Sequence, residues 1–405
     1  MRLSPNIPPR RGFTLVELLV ACALTVLVMA VMSTAFQVGM ATLSHLKSTV
    51  GLSEKLRSSE ALIRRDLQAD HLHDGDGLTV QLSNPNLASQ PWNAAGAKGY
   101  FEVIHGSAPG SASYVSEGTQ DNVTSYRATD HALFFTSKLP AQTALTVYTG
   151  DVPPGPVTVS GSYPPFFSLP GLAPAGNNVM AAGWAEIGLF LVQSNRFTTQ
   201  ADGTNSLPLY SLVRRQRVIG PMSVQMQVSA TTRSAAIAMR DSYPEASLST
   251  YASMTNPPAP ATPVPYVLMN GPSSVISRVN RLGYVWDGNT PPPNTLPVAL
   301  PVLPDSNPAA TPQTNYSSLK SQGSTQGTDL LLNDVVSMEI RVMDGTGVFK
   351  RLDQVPSTVG AAGDRRLDSA NAAGFGTQIR AIQIKLRVYD TANHLTRQST
   401  INADL

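Results

Sequence analysis

The chain of 405 residues contains a single cysteine, Cys22. No intramolecular disulfide can form, and no cysteine-based zinc site can be built. Charge is scarce as well. Asp, Glu, Lys and Arg make up 14% of the residues, against about 25% in ordinary soluble proteins. That shortfall argues against a typical cytosolic enzyme and for a surface made polar by Ser, Thr, Asn and Gln. Basic and acidic residues nearly balance, at 29 and 27, so no basic excess supports nucleic-acid binding. The usual signatures of chemistry are absent. None of the six histidines (His45, His71, His73, His105, His131 and His394) sits in His-Glu-x-x-His. No Gly-x-Ser-x-Gly elbow and no Gly-x-x-x-x-Gly-Lys-Ser/Thr phosphate loop occurs. Gly345-Thr-Gly347 and Gly374-Phe-Gly376 read as turns, and Ser317-Ser-Leu-Lys320 matches Ser-x-x-Lys by chance. Without a nucleophile–base pair, the expectation is a protein that is not an enzyme.

What the chain does have lies first at its start. Residues 1–12 are polar and carry Arg2, Arg10 and Arg11. Phe13-Thr-Leu-Val-Glu17 comes next, and then nineteen residues, Leu18 to Phe36, without a charge. At about 1.5 Å per residue this run reaches about 28 Å, nearly the thickness of a bilayer core. The arginines precede it, so the positive-inside rule keeps the N-terminus in the cytoplasm and places the residues beyond the run outside the inner membrane. A conventional signal ending at Ser33-Thr34-Ala35 fits poorly, because the run exceeds the usual apolar stretch of such signals. A plain one-pass anchor is the other simple alternative. Glu17 fits neither, since a carboxylate inside a membrane-length apolar run is expensive to desolvate without a partner. If the chain were cut after Gly12, the free amine of Phe13 on a neighbouring copy would supply that partner.

Arg11-Gly12-Phe13-Thr14-Leu15-Val16-Glu17 resembles the class III signal and N-terminal methylation motif of type IV pilins and of the pseudopilins of type II secretion. The resemblance implies that a prepilin peptidase cuts after Gly12 and that Phe13 is methylated. It also implies that Glu17 acts in assembly with other pilins or pseudopilins. Arg10 and Arg11 are then the basic end of the leader. Its loss removes three arginines and no acid, leaving 26 basic against 27 acidic residues.

The helix should continue beyond the membrane. Leu43, Leu46 and Val50 recur at 3–4 spacing, and so do Leu52, Leu56, Ile63 and Leu67 with a skipped turn. Charged residues, Asp66 among them, fill the gaps, and no proline occurs from 13 to 72. The expected division is a leader at 1–12, a membrane half at 13–38, an amphipathic half at 39–72 and a periplasmic β-rich head at 73–405. Strands are expected at 99–104, 132–136, 185–192 and 207–219. Alternation predicts one buried and one wet face at Met338, Ile340 and Val342, and again at Ile382, Ile384, Leu386 and Val388. A hairpin at 390–394 should lead into a last strand at 395–401. Residues 256–315 hold fourteen of the 32 prolines and read as a long loop or insertion with an apolar island at 266–269. The expected fold class is α+β: a long N-terminal helix on an antiparallel sheet, the pilin-like lollipop, with large insertions at 75–180 and 256–315.

Three later stretches carry a second resemblance. Asp329–Asp344, Ile379–Asp390 with Thr396–Thr400, and Leu207–Arg217 resemble the late, closing and middle strands of J-type minor pseudopilins. The implied function is a structural minor pseudopilin of a type II secretion system, residing in the inner membrane and then in the filament. Alternatives are a minor type IV pilin or pilin-like surface protein, and a membrane-tethered periplasmic binding module. No cofactor is expected, although Asp329, Asp334, Asp344 and Asp368 are candidates for calcium. His71, His73, Asp74 and Asp76 read more simply as a helix stop than as metal ligands. Arg214, Arg215 and Arg217 are expected on the wet face of their strand, and Cys22 as inert packing.

Overall fold

The computed structural model describes residues 14–74, 76, 78–82, 97–105, 115–116, 126–129, 131–140, 146–152, 178–198, 208–220, 224–226, 242–251, 266–277, 280–282, 328–343, 345–351, 366–369, 379–391 and 395–405. It comprises one long apolar N-terminal helix and a large antiparallel sheet, an α+β, pilin-like layout. Two compact units are formed, Met1–Glu54 and Lys55–Leu405.

Helix α1 spans Leu15–Leu67. In the first unit its side chains from Leu15 to Phe36 are exposed on every side, as an apolar helix awaiting lipid or neighbours would be. The helix is long and apolar enough to cross a membrane. Three of its hydroxyls are satisfied internally. Thr25, Thr34 and Thr42 each donate to the carbonyl four residues back, at 2.8, 2.9 and 2.8 Å. In hydrocarbon an unpaired hydroxyl would be costly, and this bond removes that cost.

The second unit begins with the last turns of α1. Leu56, Ser59, Ile63, Asp66 and Leu67 are its buried residues. Their spacing of three and four places them on one stripe, which lies against the sheet. Asp66 therefore belongs to the buried face, not to the polar gaps where its charge would put it. The helix also stops at Leu67, five residues before the expected end. The backbone beyond is claimed by strands: Lys138 N–H donates to the Asp70 carbonyl at 2.8 Å, and His73 and Lys98 exchange two backbone bonds at 3.0 and 2.9 Å.

The strands are β1 (Leu72–His73), β2 (Thr79–Val80), β3 (Phe101–His105), β4 (Val115–Ser116), β5 (Tyr126–Arg127), β6 (His131–Lys138), β7 (Tyr148–Val152), β8 (Asn178–Ala182), β9 (Trp184–Phe197), β10 (Pro208–Ile219), β11 (Val224–Met226), β12 (Leu248–Tyr251), β13 (Tyr266–Met269), β14 (Thr328–Met343), β15 (Phe349–Lys350), β16 (Arg366–Asp368), β17 (Ala381–Asp390) and β18 (Leu395–Asp404). Nine of them form the main sheet in the order β16-β3-β6-β9-β10-β14-β17-β18, with β15 also on β14. Every pairing in it is antiparallel. A smaller sheet has the order β11-β13-β12.

The two ends of the main sheet differ. Along β17 the expected alternation holds: Ile382, Ile384, Leu386 and Val388 are buried, while Gln383, Lys385 and Arg387 are half-buried. Along β6 and the first half of β9 nearly every residue is buried. Register explains this. Glu102, Phe134, Gly188 and Arg215 follow one another across β3, β6, β9 and β10 on one face. Phe101, Phe135 and Ile187 share the other, toward which Arg214 and Asp66 also point. The face away from the helix is covered by an outer layer to which residues 242–251, 266–277 and 280–282 contribute. Val275 and Leu282 of that layer join Tyr100, Ile104, Phe134, Phe190, Val213 and Ile219 in one apolar cluster. The apolar island at 266–269 is thus the middle strand of the small sheet.

Candidate functional site

The head of α1 is the site to which the sequence points. Thr14 is the last residue before the helix, and Glu17 stands in its first turn. Thr14 N–H and Thr14 Oγ1 both donate to Glu17 Oε2, at 3.0 and 2.9 Å. Glu17 N–H donates back to Thr14 Oγ1 at 3.3 Å. This is a capping box, in which a threonine and a glutamate three residues later satisfy each other's free N–H groups at a helix start. Its signature, Thr14-x-x-Glu17, is legible in the sequence, although the need for a cationic mate is the more conspicuous feature of Glu17 there. Oε1 takes no hydrogen bond among the described residues, so one carboxylate oxygen serves the cap and the other remains for a second partner. Arg10, Arg11, Gly12 and Phe13 lie outside the described residues, as does the Phe13 amine.

The residues considered for metals are not brought together. His71 Nδ1 lies 2.8 Å from the Thr136 carbonyl and Nε2 lies 3.0 Å from the Leu67 carbonyl. It seals the end of α1 against β6. His73 packs edge-on against Trp184 at 5.0 Å. Asp74 accepts the Leu78 N–H at 2.8 Å, closing the turn between β1 and β2. The acids considered for calcium are matched with arginines: Asp329 with Arg214 at 2.8 Å, Asp334 with Arg196 at 2.8 Å, and Asp368 with Arg281 at 3.1 Å. Asp344 is outside the described residues. Among the described residues no group of three His, Cys, Asp or Glu side chains is placed to hold a metal.

The wet-face expectation for the β10 arginines is corrected. Arg214 and Arg215 are buried, and Arg217 is half-buried. Arg214 Nε donates to Asp66 Oδ2 at 2.5 Å, Nη1 to Asp329 at 2.8 Å and Nη2 to Gln216 at 3.1 Å. Burial works against its charge, but the bonds and charges of Asp66 and then Asp329 outweigh that and hold it above its ordinary value. The acidic partner of Arg214 is therefore the chain's own helix. Under the outer layer sits a second buried set that the sequence does not reveal. Tyr100 Oη donates to Glu186 Oε1 at 3.0 Å. The Leu282 N–H reaches the same oxygen at 2.9 Å, and Ser247 Oγ meets Glu186 Oε2 at 2.5 Å.

Comparison with known proteins is informative at one place. Residues 8–33 match the description of a prokaryotic N-terminal methylation motif. No curated protein and no solved structure matches the chain. The match covers Gly12, Phe13, Glu17 and most of the apolar run, and it supports a place for this chain among the type IV pilins and pseudopilins as a substrate of prepilin peptidase.

Proposed function

We propose that the protein is a minor pseudopilin of a type II secretion system, most similar to the J-type, and a structural subunit, not an enzyme. The observation that carries the reading is the methylation motif set at the head of a membrane-length helix. The fold adds support. The three stretches that resemble J-type strands fall on β10, β14 and β17–β18, which are neighbours in one sheet. The precursor waits in the inner membrane with its head in the periplasm. Prepilin peptidase removes residues 1–12, and Phe13 is methylated. Assembly then buries the apolar surface of α1 against other subunits, which relieves its exposure to lipid or water. Glu17 keeps Oε2 on its own cap and offers Oε1 to the Phe13 amine of an adjacent subunit.

The mass of the mature N-terminal peptide tests the processing. A peptide starting at methylated Phe13 is expected. One starting at Phe36 or Met1 refutes the reading. Gly12→Ala should block or slow maturation. Glu17→Ala should leave insertion and cleavage intact while weakening incorporation into filaments. Co-purification with the other pseudopilins of a secretion system, and not with pilus subunits, separates secretion from a minor type IV pilin.

A further inference from the structure

The main sheet has two unlike borders. At one, β16 is three residues long, and its Asp368 shares Arg281 Nη1 with Glu102 of β3, at 3.1 and 3.2 Å. At the other, β18 runs for ten residues and pairs with β17 without a register shift. Among the described residues its other side carries no strand. A long, flat edge is a template for a further strand, and proteins commonly blunt it with proline, lysine or a bulge. β18 contains none of the three.

In an antiparallel ladder, successive residues turn their N–H and C=O groups alternately to one side and the other. The Leu405 N–H donates to the Arg380 carbonyl at 3.0 Å, so Leu405 faces β17, and Ala403, Ile401 and Ser399 face it too. Asn402 faces outward: its carbonyl accepts from Arg64 Nη1 at 3.0 Å. Thr400, Gln398 and Thr396 face the same way, and their side chains are exposed. The Arg64 guanidinium therefore stands where the N–H of an added strand would stand. Cations flank this edge on both faces. Arg57, Glu60 and Arg64 share one side of α1, and Glu60 meets Ser399 Oγ at 3.3 Å. Arg397 lies on the same face of β18 as Ser399. On the opposite face, Lys385 and Arg387 stand across from Thr400 and Gln398. Among the acids, Glu60 is held by Arg64 at 3.0 Å, Glu339 by Arg341 at 2.8 Å, and Asp404 lies beyond Asn402.

We propose that the outward edge of Thr396–Thr400 is a strand-addition site for an extended, acidic segment of another protein. Backbone bonds to Thr396, Gln398 and Thr400 hold the segment, and the flanking cations select its carboxylates. Arg64 stays on Asn402 and ends the added strand. The site belongs to the head, so it stands whether or not the secretion reading does.

Fluorescence anisotropy on the full-length protein in detergent micelles tests it, with a labelled, end-blocked short peptide of alternating Glu and Thr. Binding with a Kd below about 1 mM is expected. Hydrogen exchange over 396–402 should slow about tenfold on binding, while 56–67 does not change. The same peptide with Lys for Glu should bind at least about tenfold less tightly at low salt. Thr400→Pro removes an outward N–H only, so it should abolish binding and leave the urea midpoint in place. Should that variant fail to fold, the Glu peptide N-methylated at every residue keeps the charges, lacks the donors and should not bind. No binding at about 1 mM overturns the site. Undiminished binding of the methylated peptide, or by a folded Thr400→Pro, overturns strand addition. Equal binding of the Lys peptide overturns the acidic occupant, as does a dimer of the protein itself that Thr400→Pro dissolves.

Discussion

Replacing Arg214 with methionine removes the cation that fastens α1 to the sheet. The stem of the side chain is kept, so little packing is lost. What remains is Asp66, a fully buried carboxylate whose other charged contact is Arg65 at 3.1 Å, on a side chain that is 59% exposed. Breaking a buried pair in this way costs about 3–5 kcal/mol, because the surviving charge is left without compensation in the interior. Arg65 offsets part of that, so about 3–4 kcal/mol is expected. Asp66→Leu is milder. Arg214 then still holds Asp329, whose side chain is 56% exposed, and Gln216. About 2 kcal/mol is expected for that variant. Together, Asp66→Leu and Arg214→Met put an apolar pair of similar volume in the same space. The double variant should lose only about 1–2 kcal/mol, less than Arg214→Met alone.

Urea unfolding of the full-length protein in micelles, followed by circular dichroism at the β-sheet minimum, measures the set. At a slope of about 3 kcal/mol per molar urea, Arg214→Met should lower the midpoint by about 1 M. The order of the three variants matters more than any one value. If Arg214→Met cost less than Asp66→Leu, or if the double variant showed the full sum of the singles, the pair would not be the buried fastening described.

Three other outcomes rest on local geometry. Gly99 has φ +84°, and a Cβ there would lie 2.2 Å from the His71 carbonyl oxygen and 2.6 Å from Thr136 Oγ1. Gly99→Ala should therefore cost at least about 2 kcal/mol in the same unfolding assay, and a neutral result would refute the close approach. Thr14→Ala removes the hydroxyl half of the capping box and leaves the backbone N–H of residue 14 on Glu17, so the Glu17 amide, which loses its Oγ1 acceptor, should exchange faster by NMR in micelles while Met29 and beyond do not change. Burial holds His71 below its ordinary value, against the upward pull of the Thr136 and Leu67 carbonyls and of Asp70 and Asp66. The folded state thus binds fewer protons at this site than the unfolded chain does. Its contribution is complete above about pH 6.5 and is lost as pH falls below that value. The urea midpoint should drop further between pH 7.5 and 5.5 in the wild type than in His71→Gln, and equal drops would count against the assignment.

The sequence discloses those features that neighbouring residues determine. The helical spacing of Leu56, Ile63 and Leu67, with one turn skipped, announces the buried stripe, and the alternation at Ile382–Val388 announces a half-wet strand, because each pattern is complete within a dozen residues. Arg281 and Glu102 are 179 residues apart, and nothing local says that a Pro-rich stretch supplies a cover for the sheet. The β10 arginines are a different case. A charged residue in a strand is assigned to the wet face because an isolated buried charge is so costly. That logic assumes no partner is at hand. Yet Arg214 and Arg215 are consecutive on a strand, so they must point to opposite faces. One of them has to meet the side covered by the helix. On that helix Asp66 comes three residues after Ile63 and one before Leu67, which sets an acid at the border of the apolar stripe. Period two on the strand sends one arginine toward the helix side and period 3.6 sets Asp66 beside the apolar stripe, but that the two meet, 148 residues apart, is decided by which strand crosses that stripe, which only the tertiary fold fixes.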